Sequence, residues 1–140
     1  MRTPARSRVT HVYSATTRGV MVRVRTHFLA DQSEDGQWVW AYEVRIENQG
    51  TVSVQLLRRT WRITDANGRT QLVEGPGVIG QQPQLEPGQA FEYTSGTPLG
   101  TASGFMSGVY HMVVSSTGEA FDAEVPSFSL DSPTQARSLH

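Results

Sequence analysis

Three glycines are the residues of this chain whose spacing most resembles a chemical site. Gly75, Gly77 and Gly80 lie in Glu74-Gly75-Pro76-Gly77-Val78-Ile79-Gly80 and spell G-x-G-x-x-G. In dinucleotide-binding proteins that spacing lets backbone approach a pyrophosphate. Such a site needs a strand before the first glycine and a helix N-terminus after the last. A strand-like run precedes Gly75, but Gln81-Gln82-Pro83 follows Gly80. Pro83 removes a donor and turns Gln82 away from helical dihedrals. Pro76 takes one N–H out of any backbone anion nest, Glu74 adds a negative charge beside it, and no Lys follows as in a P-loop. Gly75, Gly77 and Gly80 are therefore candidate phosphate-binding residues with no βαβ unit to complete them. The competing reading is a structural loop whose glycines supply unusual dihedrals or close contacts.

The other reactive side chains form no pattern of comparable specificity. His11, His27, His111 and His140 are scattered, and no spacing among them selects a transition metal. His27 falls on the wetter face of its strand; His111 shares a face with Val109 and Val113, which predicts partial burial. Ser95, in Thr94-Ser95-Gly96, is not in a G-x-S-x-G elbow. Glu119, Asp122 and Glu124 cluster at a hairpin end and read as solvated charges. No catalytic residue, metal ligand or cofactor is assigned, and the chain reads as a non-enzyme. The absence of cysteine excludes disulfides, Cys-type zinc sites, iron–sulfur clusters and a thiol nucleophile.

Charge adds little steering. All 12 basic side chains are Arg, against 13 Asp and Glu, for a net charge of −1, so no global field attracts a polyanion. Arg2, Arg6, Arg8 and Arg18 make the first eighteen residues basic with no acid among them. Residues 1–19 read as a flexible tail, and no nucleic-acid partner is expected. No apolar run approaches the roughly 20 residues that span a bilayer, and the N-terminus has no apolar h-region. Cytoplasmic residence is the expectation.

The elements that must position these residues are strands. Val20, Val22, Val24 and Phe28 alternate with Met21, Arg23, Arg25 and His27, one face apolar and one wet. After a polar loop from Asp31 to Gln37, the side chains of Trp38, Trp40, Tyr42, Val44 and Ile46 share a face, closed by Asn48-Gln49-Gly50. A run from Val54 to Thr64 places Leu57, Trp61 and Ile63 inward and Arg58 and Arg62 outward. Asp65-Ala66-Asn67-Gly68 is a hairpin turn, and Arg69 to Val73 is the return strand. Leu85-Glu86-Pro87-Gly88 turns again. Phe91, Tyr93 and Ser95 mark another strand, and Pro98 to Ser103 reads as irregular. The run from Phe105 to Ser115 and the segment from Ala120 to Val125, resuming as Phe128 and Leu130, complete about seven strands with little or no helix. The fold class is all-β: an antiparallel sandwich of immunoglobulin or fibronectin type III kind, with a small barrel as the alternative. One domain spans 20–130, and 131–140 is a polar tail.

Longer stretches carry a resemblance. Trp61-Arg62-Ile63-Thr64-Asp65, Val73 to Pro83, Leu85-Glu86-Pro87-Gly88, Phe91 to Gly96, Gly104 to Tyr110 and Leu139-His140 together make the chain, over roughly Val20 to His140, similar to the ApaG family of bacteria. The resemblance implies a fibronectin type III-like sandwich. It also implies a link to cobalt resistance and magnesium efflux without a set mechanism. Related domains in an F-box protein and in a polymerase-interacting protein look like interaction modules. The pyrophosphate motif proposed for the family maps onto Gly75, Gly77 and Gly80, all present here. The combined expectation is a non-enzymatic module that binds a partner protein and acts indirectly on cobalt and magnesium homeostasis. The alternatives are a phosphate ligand at the Gly-rich loop and direct, weak divalent-metal binding.

Overall fold

Alternation of the kind read above builds two antiparallel sheets. The structure, a computed structural model, describes residues 11–132. Its strands are β1 (Val12–Thr17), β2 (Val20–Phe28), β3 (Trp38–Asn48), β4 (Val54–Asp65), β5 (Thr70–Pro76), β6 (Gln84–Leu85), β7 (Ala90–Leu99), β8 (Ser103–Val114) and β9 (Ala120–Asp131). One sheet has the order β1-β2-β3-β7; the other runs β5-β4-β8-β9, with β6 added beside β4. The one helical element among the described residues is a 3-10 turn over Ala30–Gln32. The all-β sandwich expected from the pattern is the observed architecture.

Inward positions of both sheets share one core. Val20, Val22, Val24, Val44 and Ile46 from the first sheet meet Leu56, Met106, Tyr110, Met112 and Leu130 from the second, all essentially inaccessible. Burial of such aliphatic and aromatic surface drives the association of the sheets. Tyr93 of β7 and Tyr110 of β8 cross the interlayer and share a hydroxyl–hydroxyl hydrogen bond of 2.5 Å. Burial raises the ionisation of both phenols above the ordinary tyrosine value, so both stay neutral donors and acceptors.

Several boundaries differ from the expectation. Val12–Thr17 is a strand paired with β2, so the second half of the proposed 1–19 tail belongs to the domain. Arg18 and Gly19, at φ 50° and 84°, form the two-residue turn that joins the strands. Residues 1–10 and 133–140 lie outside the described residues. Pro98 and Leu99 continue β7, opposite Val39 and Trp38, where an irregular segment was expected. In β4 the buried leucine is Leu56, not Leu57. A bulge between Leu56 and Arg58 shifts the register against β8 and exchanges the two faces. In β8 the buried side chains are Met106, Tyr110, Met112 and Val114, while Phe105 is 49% exposed.

Asn48 shows how the sheet ends are tied. Its side chain is buried and fully used: Nδ2 donates to the Val52 and Leu85 carbonyls at 2.8 and 3.0 Å, and Oδ1 accepts from the Gly50 N–H at 2.9 Å. Asn48→Ala strands one buried and two partly buried backbone groups, so a loss of about 2 kcal/mol is expected. Denaturant unfolding checks it, and a change under about 0.5 kcal/mol would contradict the assignment.

Candidate functional site

The β4 bulge builds the glycine loop. Leu57 has no partner in the β4–β8 ladder, and its carbonyl points at the segment that follows β5. There it accepts from the Gly77 N–H at 2.8 Å and from Gln82 Nε2 at 3.0 Å. Val78 and Gln81 then exchange two backbone hydrogen bonds of 2.8 and 2.9 Å. Ile79 and Gly80 between them both have positive φ, 39° and 79°, the signature of a type I′ hairpin turn. Val78 is fully buried and plugs the turn into the core.

Each motif glycine has its own physical reason. Gly75 sits in β5 beneath the Arg59 guanidinium, where a Cβ would stand 3.1 Å from both terminal nitrogens. Arg59 Nη1 reaches across it to the Pro76 and Gly77 carbonyls, at 3.1 and 2.8 Å. At Gly77, with φ 59°, a Cβ would fall 2.2 Å from the Gln81 carbonyl oxygen. Gly80 answers the turn's need for positive φ and has open space around it. The N–H groups of Gly77 and Val78 thus point at protein carbonyls and do not converge outward. Only Ile79 and Gly80 present N–H groups at the tip with no acceptor among the described residues.

Arg59 is the residue that pattern reading missed. It faces the interlayer from β4, half-buried, close enough to Tyr93 and Tyr110 that its charge favours their ionised forms. Its hydrogen bonds to carbonyls pin the loop to the sandwich. Arg59→Leu should speed amide exchange at Gly77 and Val78 by about tenfold or more, while the β2 and β3 core amides keep their rates. Uniform acceleration would show global destabilisation, and no acceleration would remove the pin.

Ile79 departs from ordinary preference. A left-handed backbone costs an L residue about 1–2 kcal/mol, and a β-branched side chain is among the least suited to it. Its side chain is 57% exposed, so core packing does not offset that cost.

A second constellation lies on the outer face of the β5-β4-β8-β9 sheet. His111 Nε2 lies 2.7 Å from Thr60 Oγ1, and His111 Nδ1 lies 2.8 Å from Asp122 Oδ1. Thr60 also approaches Glu74 at 3.4 Å. An ionised Asp122 accepts from Nδ1–H, which leaves Nε2 to accept the Thr60 hydroxyl proton. The connectivity is that of a nucleophile–base–carboxylate relay. Its surroundings disfavour attack: Glu74 places negative charge against any oxyanion at Thr60. The group is a hydrogen-bonded row linking β4, β8 and β9, with Glu74 of β5 beside Thr60. Asp122 is therefore bonded, not simply solvated as expected, and His111 is partly exposed, at 32%.

The outer face of the other sheet carries an open depression of about 380 Å³ lined by Arg23, Arg25, Glu43, Arg45, Glu92 and Thr94. Arg45 is committed to Glu47 and Glu92 at 3.3 and 2.6 Å, and His27 to Glu43 at 2.8 Å. The charges are interleaved, so the face has no excess of one sign. Among the described residues no group of three His, Asp or Glu side chains could hold a metal ion. No helix among them is long and apolar enough to cross a membrane.

The class defined by this geometry is a two-layer β-sandwich that presents an internally locked glycine loop. The comparisons give it a family: a profile of the ApaG domain matches residues 29–114, and the chain belongs to the ApaG family. It is 60% identical over 124 residues to Protein ApaG of Rhodospirillum centenum, covering 87% of this chain and 95% of that one. Among solved structures it is similar to the putative ApaA protein from Bordetella pertussis, at 40% identity and a TM-score of 0.75, covering 89% and 95% of the two chains. A structural-genomics target, SoR45, superposes with a TM-score of 0.78 at 39% identity, over 86% of this chain and 92% of that one.

Proposed function

We propose that this chain is a non-enzymatic cytoplasmic module that binds a partner protein through the glycine-loop end of the sandwich. A role in cobalt and magnesium handling, implied by the family resemblance, is exerted through that partner. The supporting observation is the loop itself. The Gly77 and Val78 N–H groups and the Pro76 and Gly77 carbonyls are spent on internal bonds to Leu57, Gln81 and Arg59, which favours a preorganised surface feature over a ligand cradle. The alternative is a phosphate or pyrophosphate ligand at Gly75, Gly77 and Gly80. It would rely on the Ile79 and Gly80 N–H groups, with no converging third donor from Gly77 or Val78.

Affinity capture from cell lysate tests the module reading. Immobilised protein should retain a protein saturably, and excess free domain should displace it. Retention of nothing that free domain displaces would contradict the reading.

A further inference from the structure

We propose that the Thr60–His111–Asp122 row is a proton-operated latch: when His111 is protonated, the row ties Glu74, in the arm of the glycine loop, to the sheet. The latch does not depend on what the loop end binds. Thr60 has one hydroxyl proton and two acceptors in reach, His111 Nε2 at 2.7 Å and Glu74 Oε2 at 3.4 Å. The proton serves one of them at a time. Strand register holds the partners in place. Thr60 of β4 stands opposite Glu74 of β5, and His111 of β8 stands opposite Asp122 of β9. Thr60 is buried, so water competes little for its hydroxyl. Histidine is the side chain that ordinarily changes charge between about pH 5 and 8, which puts the choice between the two acceptors under proton control.

The two states differ in the direction of the bonds. With His111 neutral, Nδ1–H donates to Asp122 and Nε2 takes the Thr60 proton. Glu74 then receives nothing from Thr60. With a proton from solvent on Nε2, the imidazolium donates from both nitrogens, to Asp122 and to Thr60 Oγ1. The Thr60 hydroxyl turns and donates to Glu74 Oε2. The four groups become one directed chain, with a carboxylate at each end and the cation between them. Charge-assisted hydrogen bonds of this kind are stronger than neutral ones. The other charged groups on this face are Arg58 of β4, opposite His111, and Glu124 of β9, opposite Val109. Glu74 leads directly into Gly75, beneath the Arg59 guanidinium that holds the Pro76 and Gly77 carbonyls. Acid thus adds a second tie to the arm that Arg59 already pins.

A carbon-13 NMR titration of the labelled full chain tests this, from about pH 8 down to about pH 5, where carboxylates are ordinarily still ionised. It follows the His111 ring carbons and the Glu74 carboxyl carbon. The Glu74 signal should step at the midpoint of the His111 titration. In Thr60→Val, which lacks the hydroxyl, His111 should still titrate and the Glu74 step should vanish. In Thr60→Ser, which keeps the hydroxyl, the step should remain. In the parent, amide protection at Val73 and Gly75, corrected for intrinsic exchange, should rise about twofold or more from about pH 7.5 to about pH 5.5, relative to Val22 and Val24. Absence of a Glu74 step at the His111 midpoint overturns the latch. A step of full size in Thr60→Val also overturns it, because the imidazolium field would then act without the hydroxyl. If Thr60→Val does not fold, the exchange measurement on the parent decides: unchanged relative protection at Val73 and Gly75 overturns the latch.

Discussion

Trp61→Ala is expected to destabilise the domain by about 3–5 kcal/mol, the range for deleting a buried aromatic side chain from a core. Trp61 is 3% exposed and meets Tyr42 of β3, Tyr110 of β8 and Phe128 of β9, at ring-centroid distances of 5.5, 6.0 and 6.1 Å. Its contacts with Tyr110 and Phe128 are edge-on, a geometry worth more than area alone. One side chain thus joins both layers, and no smaller neighbour can fill its place. A domain of this size has roughly 5–15 kcal/mol of stability in all, so the variant sits near the limit of folding. Denaturant titration with an unchanged slope measures the loss. A value below about 1 kcal/mol would mean that Trp61 is not the centre of the core.

Gly77→Ala carries the next largest effect, about 2–4 kcal/mol. The left-handed backbone contributes about 1–2 kcal/mol of it. The remainder comes from the Gln81 carbonyl, 2.2 Å from the added carbon, which must move and break the Val78–Gln81 pair at about 1 kcal/mol per bond. Gly80→Ala is the internal control. Its φ is also positive, at 79°, but nothing lies within 4 Å of an added Cβ, so only the backbone part, about 1 kcal/mol, is expected. Equal losses for the two variants would show that the Gln81 contact does not constrain the loop.

Much of the fold was legible in the sequence, and the failures have physical causes. Val20, Val22 and Val24, and Trp40, Tyr42, Val44 and Ile46, lie inward as period-two reading requires. That reading assumes an unbroken pleat. The adjacent leucines Leu56 and Leu57 leave the phase of β4 ambiguous, and the bulge beside them selects Leu56 as the inward side chain. A second bulge, between Met106 and Gly108, shifts β8 against β9, and Gly108 there lets the Thr60 carbonyl and Trp61 approach closely. β1 escaped notice because its side chains are at most half-buried, which leaves the alternation without contrast.

The candidate site was legible only in part. Pro76 and Pro83 told against a dinucleotide fingerprint, but the sequence could not show where the loop amides point. That depends on the Leu57 carbonyl freed by the bulge and on Arg59, both distant in sequence. The Thr60–His111–Asp122 row depends on strand register, which single-sequence patterning does not specify.

We propose that the glycine motif is a locked structural loop rather than a phosphate cradle. The direct test is a titration of isotope-labelled full-length protein with inorganic pyrophosphate, followed at the backbone amides of Gly75, Gly77, Val78, Ile79 and Gly80. No saturable shift is expected at these amides up to millimolar ligand. Saturable shifts centred on Ile79 and Gly80, extending to Gly77, would contradict it.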